Sequence, residues 1–236
     1  MTSRGNTKPA LDQAVPYVPA LGHRWLTALY DPLMRWSMRE QAFKGALLQQ
    51  AELADGQAVV DLGCGTGTLT ILVKQRALGA GVTGVDIDPE ALRIARGKIA
   101  SAGVAIRLDR ARVSALPYPD ETFDRVVSSL VFHHLSPEEK RLSAAEVLRV
   151  LRPGGELHVA DWGRPQNRLL RAAFFLVQLL DGFANTAEPA RGALPEILRM
   201  AGFSDVTLTR QFATVFGTLA LLRARRALPA AGGQGS

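Results

Sequence analysis

Three glycines at alternate positions, Gly63, Gly65 and Gly67, directly follow a short apolar run that ends at Leu62. Glycine suits a backbone that must turn sharply and approach a ligand closely, because any Cβ would collide with that ligand. A second apolar run ends at Asp86, about 20 positions further on, which is the distance that one βαβ unit requires. A carboxylate at a strand end suits ribose hydroxyls, which are hydrogen-bond donors. These residues therefore predict a site for a nucleoside-containing cofactor.

The residues around the glycines favour a cationic cofactor over a dinucleotide. A dinucleotide site reads G-x-G-x-x-G and places a pyrophosphate at a helix N-terminus. Here position 68 is a threonine, and Asp61 lies just before the glycines. The Asp61 carboxylate would repel a pyrophosphate but attract a cation. Because sulfonium and α-amino groups are both cationic, the sequence favours S-adenosylmethionine over NAD.

The sequence V-V-D-L-G-C-G-T-G of residues 59–67 resembles the first motif of class I S-adenosylmethionine-dependent methyltransferases. The similarity continues through residues 82–86, 116–124 and 146–155, and it covers about residues 30–223. The order and spacing of these four motifs resemble the branch of the ubiquinone and menaquinone C-methyltransferases. The resemblance implies methyltransferase activity on a small molecule, with S-adenosylmethionine as the cofactor.

Composition and charge bound the class of protein. The 236 residues are 47% hydrophobic and 21% charged, which allows one globular core with an appended N-terminal segment. The net charge is +6 and the pI is near 10.0. The arginines are scattered, which disfavours a nucleic-acid partner but leaves peripheral contact with an anionic membrane open. Cys64 is the only cysteine and no apolar signal segment is visible, which predicts a cytoplasmic protein without disulfides.

Composition along the chain divides it into four parts. Residues 1–20 hold prolines and few large apolar residues, which predicts a flexible arm. Residues 21–50 carry apolar residues at helical spacing and are predicted to form an N-terminal helical lid. The S-adenosylmethionine-binding domain is expected over residues 51–226, with a helical insert at 164–192. Residues 227–236 are expected to form a disordered tail.

Strands and helices alternate through this domain, which predicts a parallel sheet covered on both faces. The predicted fold class is α/β, with a Rossmann-like, seven-stranded, mostly parallel sheet. By the family resemblance, the last two strands form an antiparallel C-terminal hairpin. The predicted strands are Ala58–Leu62, 82–85, 105–108, 124–129, 156–160, about 205–209 and about 213–222. The predicted helices start at 68, 89, 137 and 194, the second and third after N-caps at Asp88 and Ser136.

The resemblance assigns cofactor contacts to the ends of the first two strands. It implies that Asp61 binds the amino-acid end of S-adenosylmethionine, directly or through water; a helix N-cap is the structural alternative. Asp86 is expected to accept both ribose hydroxyls, and Ile87 to pack on the adenine face. The other predicted cofactor residues here are Gly63, Cys64, Gly65, Thr66, Gly67, Ser129 and Leu130. Cys64 is interpreted as a packing residue rather than a nucleophile, because methyl transfer does not need a thiol.

One position departs from the family pattern. Relatives usually carry an acidic residue shortly before the L-P motif, here Leu116-Pro117, where it accepts the adenine amino group. Aligned on that motif, the position is Arg112, followed by Val113, and an arginine cannot accept a hydrogen bond. Either Asp109 takes this role through a shifted loop, or backbone groups take it alone.

The candidate catalytic residues follow the fourth and fifth predicted strands, at the edge where ligands collect in open parallel sheets. His133 or His134 could act as a general base or orient the acceptor, and Asp161 could act on the acceptor. The structural alternatives are loop hydrogen bonds for the histidines and helix capping for Asp161. Adjacent histidines rarely converge on one metal, and no further ligand cluster accompanies them, so no metal site is predicted.

The acceptor is expected to be small and apolar or aromatic: a quinone, a lipid headgroup or a secondary metabolite. Residues 169–180 are strongly apolar but too short to span a bilayer, which needs about 20 apolar residues. They could line the acceptor pocket, cover the core or lie on a membrane. The predicted acceptor contacts are Tyr30, which resembles a residue of the lid in quinone methyltransferases, and Trp36, Trp162, Phe174 and Phe175.

Two other functions stay open at this point. One is a non-catalytic protein that binds S-adenosylmethionine or S-adenosylhomocysteine, which the arginine at position 112 supports. The other is a hydride-transferring enzyme on a similar sheet, against which the glycine spacing and Asp61 argue.

Overall fold

A seven-stranded sheet forms the centre of the computed structural model, which describes residues 40–164, 193–214 and 217–229. In chain order the strands are β1 (Ala58–Leu62), β2 (Gly81–Asp86), β3 (Arg107–Arg110), β4 (Phe123–Ser129), β5 (Leu151–Trp162), β6 (Ser204–Thr214) and β7 (Gly217–Arg225). They lie in the order β3-β2-β1-β4-β5-β7-β6. The first five are parallel, and β7 runs antiparallel to β5 and β6. The predicted fold class is confirmed.

Two of the helices begin where the predicted caps place them. The described helices are α1 (Glu40–Ala51), α2 (Thr68–Arg76), α3 (Pro89–Ala102), α4 (Pro137–Val150) and α5 (Leu194–Met200), with a 3-10 turn at Phe132–His134. At the start of α3 the Asp88 carboxylate accepts a hydrogen bond from the Glu90 N–H at 2.8 Å. At α4, Ser136 and Glu139 form a capping box. Both caps satisfy backbone donors that a helix leaves unpaired, which fixes the first turn beside the carboxyl edge of the sheet.

Helices cover both faces of the sheet. Leu157 and Val159 of β5 pack in the apolar cluster that contains α4 and α5. Ala160 and Trp162 of the same strand pack in the cluster that contains α1 and α2. Successive side chains of a strand point to opposite faces, so the end of β5 contributes residues to both layers.

The start of β5 differs from the prediction. The strand begins at Leu151 rather than at 156, and it runs through Pro153, Gly154 and Gly155, which were expected to separate helix from strand. Leu151 is fully buried and pairs with Phe123, and the pairing register shifts just after that pair. Gly154 has a φ of +77°, a conformation that glycine adopts without strain. The chain therefore absorbs the extra residues as an irregularity in the pairing rather than as a loop.

Two further strand boundaries were predicted wrongly. β3 covers 107–110 rather than 105–108, because this edge strand has arginines at both ends and gives a weak apolar pattern. β6 extends to Thr214 and β7 begins at Gly217, so residues 210–212, which were expected to connect the two strands, lie inside β6. All residues of β6 except Thr214 are exposed or half-buried, which hid the strand from a search for apolar runs.

Parts of the predicted organisation lie outside the described residues. Of the predicted lid, residues 21–50, the structure describes residues 40–50, which belong to α1. The rest of the lid, the arm at 1–20 and residues 165–192 of the predicted insert are not described. Four predicted acceptor residues fall in these parts: Tyr30, Trp36, Phe174 and Phe175. Within the described ranges, no helix is long and apolar enough to cross a membrane.

An arginine in α4 holds the loop that leads from β3 to β4. The Arg149 guanidinium donates to the Glu146 carboxylate at 2.9 Å and to the Asp120 carboxylate at 2.8 Å. It also donates to the carbonyls of Tyr118 at 2.8 Å and Leu116 at 3.2 Å. Glu146 in turn accepts the Leu116 N–H at 2.8 Å. The planar guanidinium fits this set because its donors form a rigid fork. Glu146 therefore has a structural role.

We expect Arg149→Met to lower the free energy of unfolding by about 2 kcal/mol, because it leaves two carboxylates and two carbonyls without their charged donor. Urea unfolding followed by circular dichroism measures this. Arg149→Lys is the matched control: it keeps the charge, but one ammonium cannot reproduce the fork, so less than half of the loss should be recovered. A Met variant as stable as the wild type would show that the loop does not depend on Arg149.

Candidate active site

The glycine turn after β1 contains two glycines that the fold needs and one that faces open space. Gly63, Gly65 and Gly67 all have positive φ, at 62°, 52° and 79°. A Cβ at Gly63 would lie 2.4 Å from a methyl of Val131, and one at Gly67 would lie 3.0 Å from the Ala95 Cβ. At Gly65, no described atom lies within 4 Å of the Cβ position. Close approach of a ligand to the backbone is therefore expected at Gly65.

Asp86, at the end of β2, braces the same turn. Its carboxylate accepts the Gly65 N–H at 2.7 Å and the Asp88 N–H at 2.9 Å. Burial raises the pKa of Asp86, and these two N–H donors offset part of that effect. The side chain remains half-buried, and Ile87 beside it is also half-buried. A carboxylate that accepts two backbone donors still has lone pairs for hydroxyl donors, which fits the ribose role expected of Asp86.

Asp61 is a nearly sealed carboxylate beside the turn. It is 1% exposed, and it accepts a hydrogen bond from the Thr70 hydroxyl at 2.7 Å. Burial raises its pKa from 3.8 to about 7, against a smaller opposing effect of the Lys44 ammonium. The N-cap of α2 is Gly67, without a side-chain cap, so Asp61 does not have the capping role that was its structural alternative. A cationic amino group placed beside Asp61 would favour the carboxylate form, so the site fits the amino-acid end of S-adenosylmethionine.

Cys64 lies inside the turn but is buried by protein. Its N–H donates to the Val85 carbonyl at 2.9 Å, and a Cβ at Gly84 would lie 3.0 Å from its sulfur. Burial raises the pKa of the thiol, and the carboxylates of Asp61 and Asp86 raise it further. A thiol that is hard to ionise is a poor nucleophile, so the geometry favours the packing role.

At the predicted adenine position, Arg112 departs from the family pattern in the structure as it does in the sequence. Arg112 extends towards the first turn of α4, where its guanidinium lies 3.8 Å from the Glu139 carboxylate. Asp109, the suggested substitute, accepts hydrogen bonds from the Tyr118 hydroxyl and from Arg107, both at 2.8 Å. Those two donors hold Asp109 at the sheet edge, which favours backbone groups as the acceptors for the adenine amino group. The predicted neighbour, Val113, packs against the core cluster of α4.

The chain turns sharply where β4 ends. Ser129 and Leu130 are both half-buried here. Leu130 has a φ of +60°, an uncommon conformation for a branched side chain, and its N–H donates to the Ala160 carbonyl at 2.8 Å. Such strained positions persist where the surroundings hold them, and they cluster at functional sites. The turn delivers the next residues, among them His133, to the edge of the sheet.

His133 and Asp161 form a buried imidazole–carboxylate pair. Nδ1 of His133 lies 2.7 Å from one Asp161 oxygen, and the His133 N–H is 3.3 Å from the other. The Trp162 N–H also donates to Asp161, at 2.7 Å. Burial alone would raise the pKa of Asp161, but the imidazole and these hydrogen bonds hold it below its usual range. His134 lacks such a partner among the described residues; it is exposed, and its ring centroid lies 3.8 Å from that of His133.

A cavity of about 10 Å³, room for about one water, adjoins this pair. His133 and Asp161 line it together with Phe132, Lys140, Trp162, Leu194 and Ile197. Its wall combines apolar and aromatic side chains with a few polar groups, but the described residues leave no room there for an organic acceptor. Trp162, predicted from the sequence as an acceptor contact, is part of it. Among the described residues, no group of three or more potential ligands could hold a metal ion.

Sequence reasoning missed three residues that shape the site. Thr70 holds Asp61, Lys98 donates to the Thr66 hydroxyl at 2.8 Å and thereby braces the glycine turn, and Lys140 enters the cavity wall. Thr70 could have been found, because it is a polar residue one turn into a helix that follows a glycine loop. Lys98 and Lys140 carry no local signal, since surface lysines at helical spacing look the same.

Comparisons with known proteins agree with this geometry. A family model described as a methyltransferase domain matches residues 59–155. The demethylmenaquinone methyltransferase of Thermus thermophilus is 35% identical over 164 residues, which are 62% of this chain and 74% of that protein.

Solved structures share the fold. An S-adenosylmethionine-dependent methyltransferase of Methanosarcina mazei aligns with a TM-score of 0.61 and 21% identity over 78% of this chain and 98% of that one. The [4+2]-cyclase SpnF aligns with a TM-score of 0.61 and 20% identity over 80% and 82%. A cyclase among the structural matches shows that this fold alone does not establish the reaction. The family match and the sequence identity establish the class of reaction: the chain belongs to the class I S-adenosylmethionine-dependent methyltransferases.

Proposed function

We propose that this methyltransferase acts on a small, apolar or aromatic acceptor, of which a quinone ring is the leading candidate and lipid headgroups or secondary metabolites are alternatives. The observation that carries the proposal is the 35% identity, over 164 residues, to a demethylmenaquinone methyltransferase. Phe132 and Trp162 lie beside His133 and Asp161, and aromatic side chains suit contact with a flat apolar ring.

The residues of the glycine turn would hold the cofactor. Asp61 would bind its amino group, Asp86 its ribose hydroxyls, and Gly65 would allow the backbone to approach it. When bound, S-adenosylmethionine supplies a methyl group on a sulfonium sulfur that is already an activated leaving group. The chain itself must bind both partners, align them and exclude water.

An assay with labelled S-adenosylmethionine tests the acceptor class. We expect methyl transfer to naphthalene-1,4-diol and related reduced quinones to exceed transfer to ethanolamine lipids or to alkylamines. Transfer to the amines alone would contradict the quinone proposal.

Calorimetry separates the remaining alternative. We expect S-adenosylhomocysteine to bind and NAD to show no heat, because Asp61 repels a pyrophosphate. Binding without transfer to any acceptor of the panel would favour the non-catalytic cofactor-binding protein instead.

A further inference from the structure

The excess of exposed positive charge in the described chain lies between α2 and β3. Residues 68–110 carry five exposed arginines and one exposed carboxylate, that of Glu90. Over the rest of the described residues, six exposed arginines are balanced by seven exposed aspartates and glutamates. The five arginines are Arg76, Arg93, Arg96, Arg107 and Arg110. Arginines that look scattered along the sequence thus leave an excess of charge at the β3 end of the sheet.

Three of these five arginines have no carboxylate partner among the described residues. They are Arg76, Arg96 and Arg110. Arg110 donates to the Ile87 carbonyl at 3.1 Å, which does not neutralise its charge. Arg93 lies 2.7 Å from the Glu90 carboxylate, but both side chains stay largely exposed. A surface of this kind attracts polyanions, and dissolved salt screens the attraction.

A shallow groove between α2 and α3 opens on the same surface. It has a volume of about 660 Å³. The aliphatic side chains of Ile71, Leu72 and Ile94 line it, and the cations Arg93 and Lys98 lie beside them. The described residues that line the groove include no acid. Aliphatic walls with cations at their side suit a ligand that has an acyl chain and an anionic head group.

Gly97 keeps this groove open. It lies in the middle of α3, where glycine is less favourable than alanine, and it is exposed in the groove. No described atom lies within 4 Å of the position that a Gly97 Cβ would take. Packing of the described chain therefore does not require a glycine here, whereas close approach of a ligand to the helix would.

We infer that this surface docks on an anionic membrane, with lipid phosphates against the arginines and an acyl chain of an acidic lipid in the groove. We call it the α2–α3 face; it comprises the groove together with Arg76, Arg93, Arg96 and Lys98. A nucleic acid would match the charge but not the aliphatic groove, and residues 65–117 contain no aromatic side chain on which a base could stack. The docking does not depend on which acceptor is methylated.

The α2–α3 face is joined to the glycine turn. Nζ of Lys98 donates to the Thr66 hydroxyl at 2.8 Å, and Thr68, at the start of α2, lines the groove. A membrane bound at this face would therefore lie close to the turn that would hold the cofactor. An apolar acceptor dissolved in that membrane would have a short path to the methyl donor.

Sedimentation of the full chain with lipid vesicles tests the docking. We expect vesicles of phosphatidylglycerol and phosphatidylcholine to bind the protein about tenfold tighter, or more, than vesicles of phosphatidylcholine alone. This difference should shrink as salt rises from about 50 mM to about 500 mM, because salt screens exposed charges. Equal binding to both kinds of vesicle would overturn the inference. Retention of duplex DNA under conditions where phosphatidylglycerol vesicles do not bind would overturn it too.

Two double variants locate the contact. Arg76→Gln with Arg96→Gln removes two cations from the α2–α3 face, and we expect the affinity for phosphatidylglycerol vesicles to fall about tenfold or more. Arg141→Gln with Arg210→Gln makes the same change in net charge on α4 and β6, and the affinity should stay within about threefold. Thermal unfolding shows whether both variants fold. Equal losses would mean that net charge alone attracts the vesicles, which would refute the assignment to this face.

Gly97→Gln tests the groove without changing the charge. Its side chain would occupy the groove, and we expect the vesicle affinity to fall about fivefold. The unfolding temperature should not fall, because glutamine is a better helix former than glycine. Gly45→Gln is the matched control, since Gly45 is an exposed glycine of α1 with no described atom within 4 Å of its Cβ position. Wild-type affinity of Gly97→Gln would show that no acyl chain enters the groove. These binding measurements need no turnover, so their outcome is separate from that of the acceptor assay.

Discussion

We expect Asp61→Asn to make the protein more stable above pH 7 and, at the same time, to weaken its binding of S-adenosylmethionine strongly. Asp61 is sealed from water, and its one side-chain hydrogen bond, from the Thr70 hydroxyl, can be kept by an Asn oxygen. The ionised Asp61 carboxylate therefore destabilises the folded protein when no ligand is bound, and we interpret it as a group that serves ligand binding. One pKa unit corresponds to about 1.4 kcal/mol, and we expect a gain in unfolding free energy on the order of 2 kcal/mol.

The pH dependence follows from the direction of the shift. The pKa of Asp61 is raised from 3.8 to about 7 in the folded chain, so the folded state binds this proton more tightly than the unfolded state. The stabilisation that results is complete below about pH 3.8 and is lost as the pH rises through about 7. Asn carries no such proton. The difference between variant and wild type should accordingly grow between these two limits and level off above pH 7.

Thermal unfolding from pH 5 to pH 9, paired with calorimetry, measures both effects. We expect the affinity for S-adenosylhomocysteine to fall about a hundredfold, because a buried cationic amino group loses its partner. Asp120→Asn, the same change at an exposed carboxylate outside the site, should leave that affinity within about twofold. A variant that binds S-adenosylhomocysteine as tightly as the wild type would place the amino-acid end of the cofactor elsewhere.

The second large effect is a contrast between two glycines two positions apart. Gly63→Ala should destabilise the protein by about 3 kcal/mol, since its Cβ would lie 2.4 Å from a Val131 methyl at a positive φ. Gly65→Ala should cost only about 1 kcal/mol, because strain at φ +52° is its sole penalty. Its Cβ would instead fill the space beside the turn and weaken binding of S-adenosylhomocysteine by about tenfold or more.

Urea unfolding and calorimetry on both variants separate the two roles. Val131→Ala in the Gly63→Ala background is the control, and we expect it to restore part of the lost stability by removing the colliding methyls. Equal losses of stability at both positions would mean that Gly65 is also a packing glycine. Unchanged binding by Gly65→Ala would move the cofactor away from that residue.

Much of the fold was predictable because its signals are local. The glycine turn, the caps at Asp88 and Ser136, and the apolar runs of β1 and β4 each depend on neighbours in sequence. β3 and β6 were located poorly because edge strands pair on one side only, and nearly all of their residues are exposed or half-buried, so neither has a strong apolar run. The start of β5 was missed because Pro and Gly usually end an element, whereas here Leu151 finds a buried partner in Phe123.

The site was predictable as a set of residues but not as an arrangement. Sequence reasoning named His133, His134 and Asp161 as separate candidates. Nothing in the order of residues says that Asp161 accepts from His133 and leaves His134 exposed, because the pairing depends on how β4 and β5 align. The same holds for Thr70 and Asp61, which meet only after the glycine turn brings α2 back over β1.

Val131 packs so closely on Gly63 that there is no room between them for a methyl group. The segment that leads to His133 is thereby joined to the segment that would carry the methyl donor. An engineer who wishes to change which molecule is methylated should therefore not randomise positions 130–134, since donor affinity would suffer with every bulky replacement. Leu194, which is half-buried, belongs to a separate helix, and a library built there should leave the donor site intact.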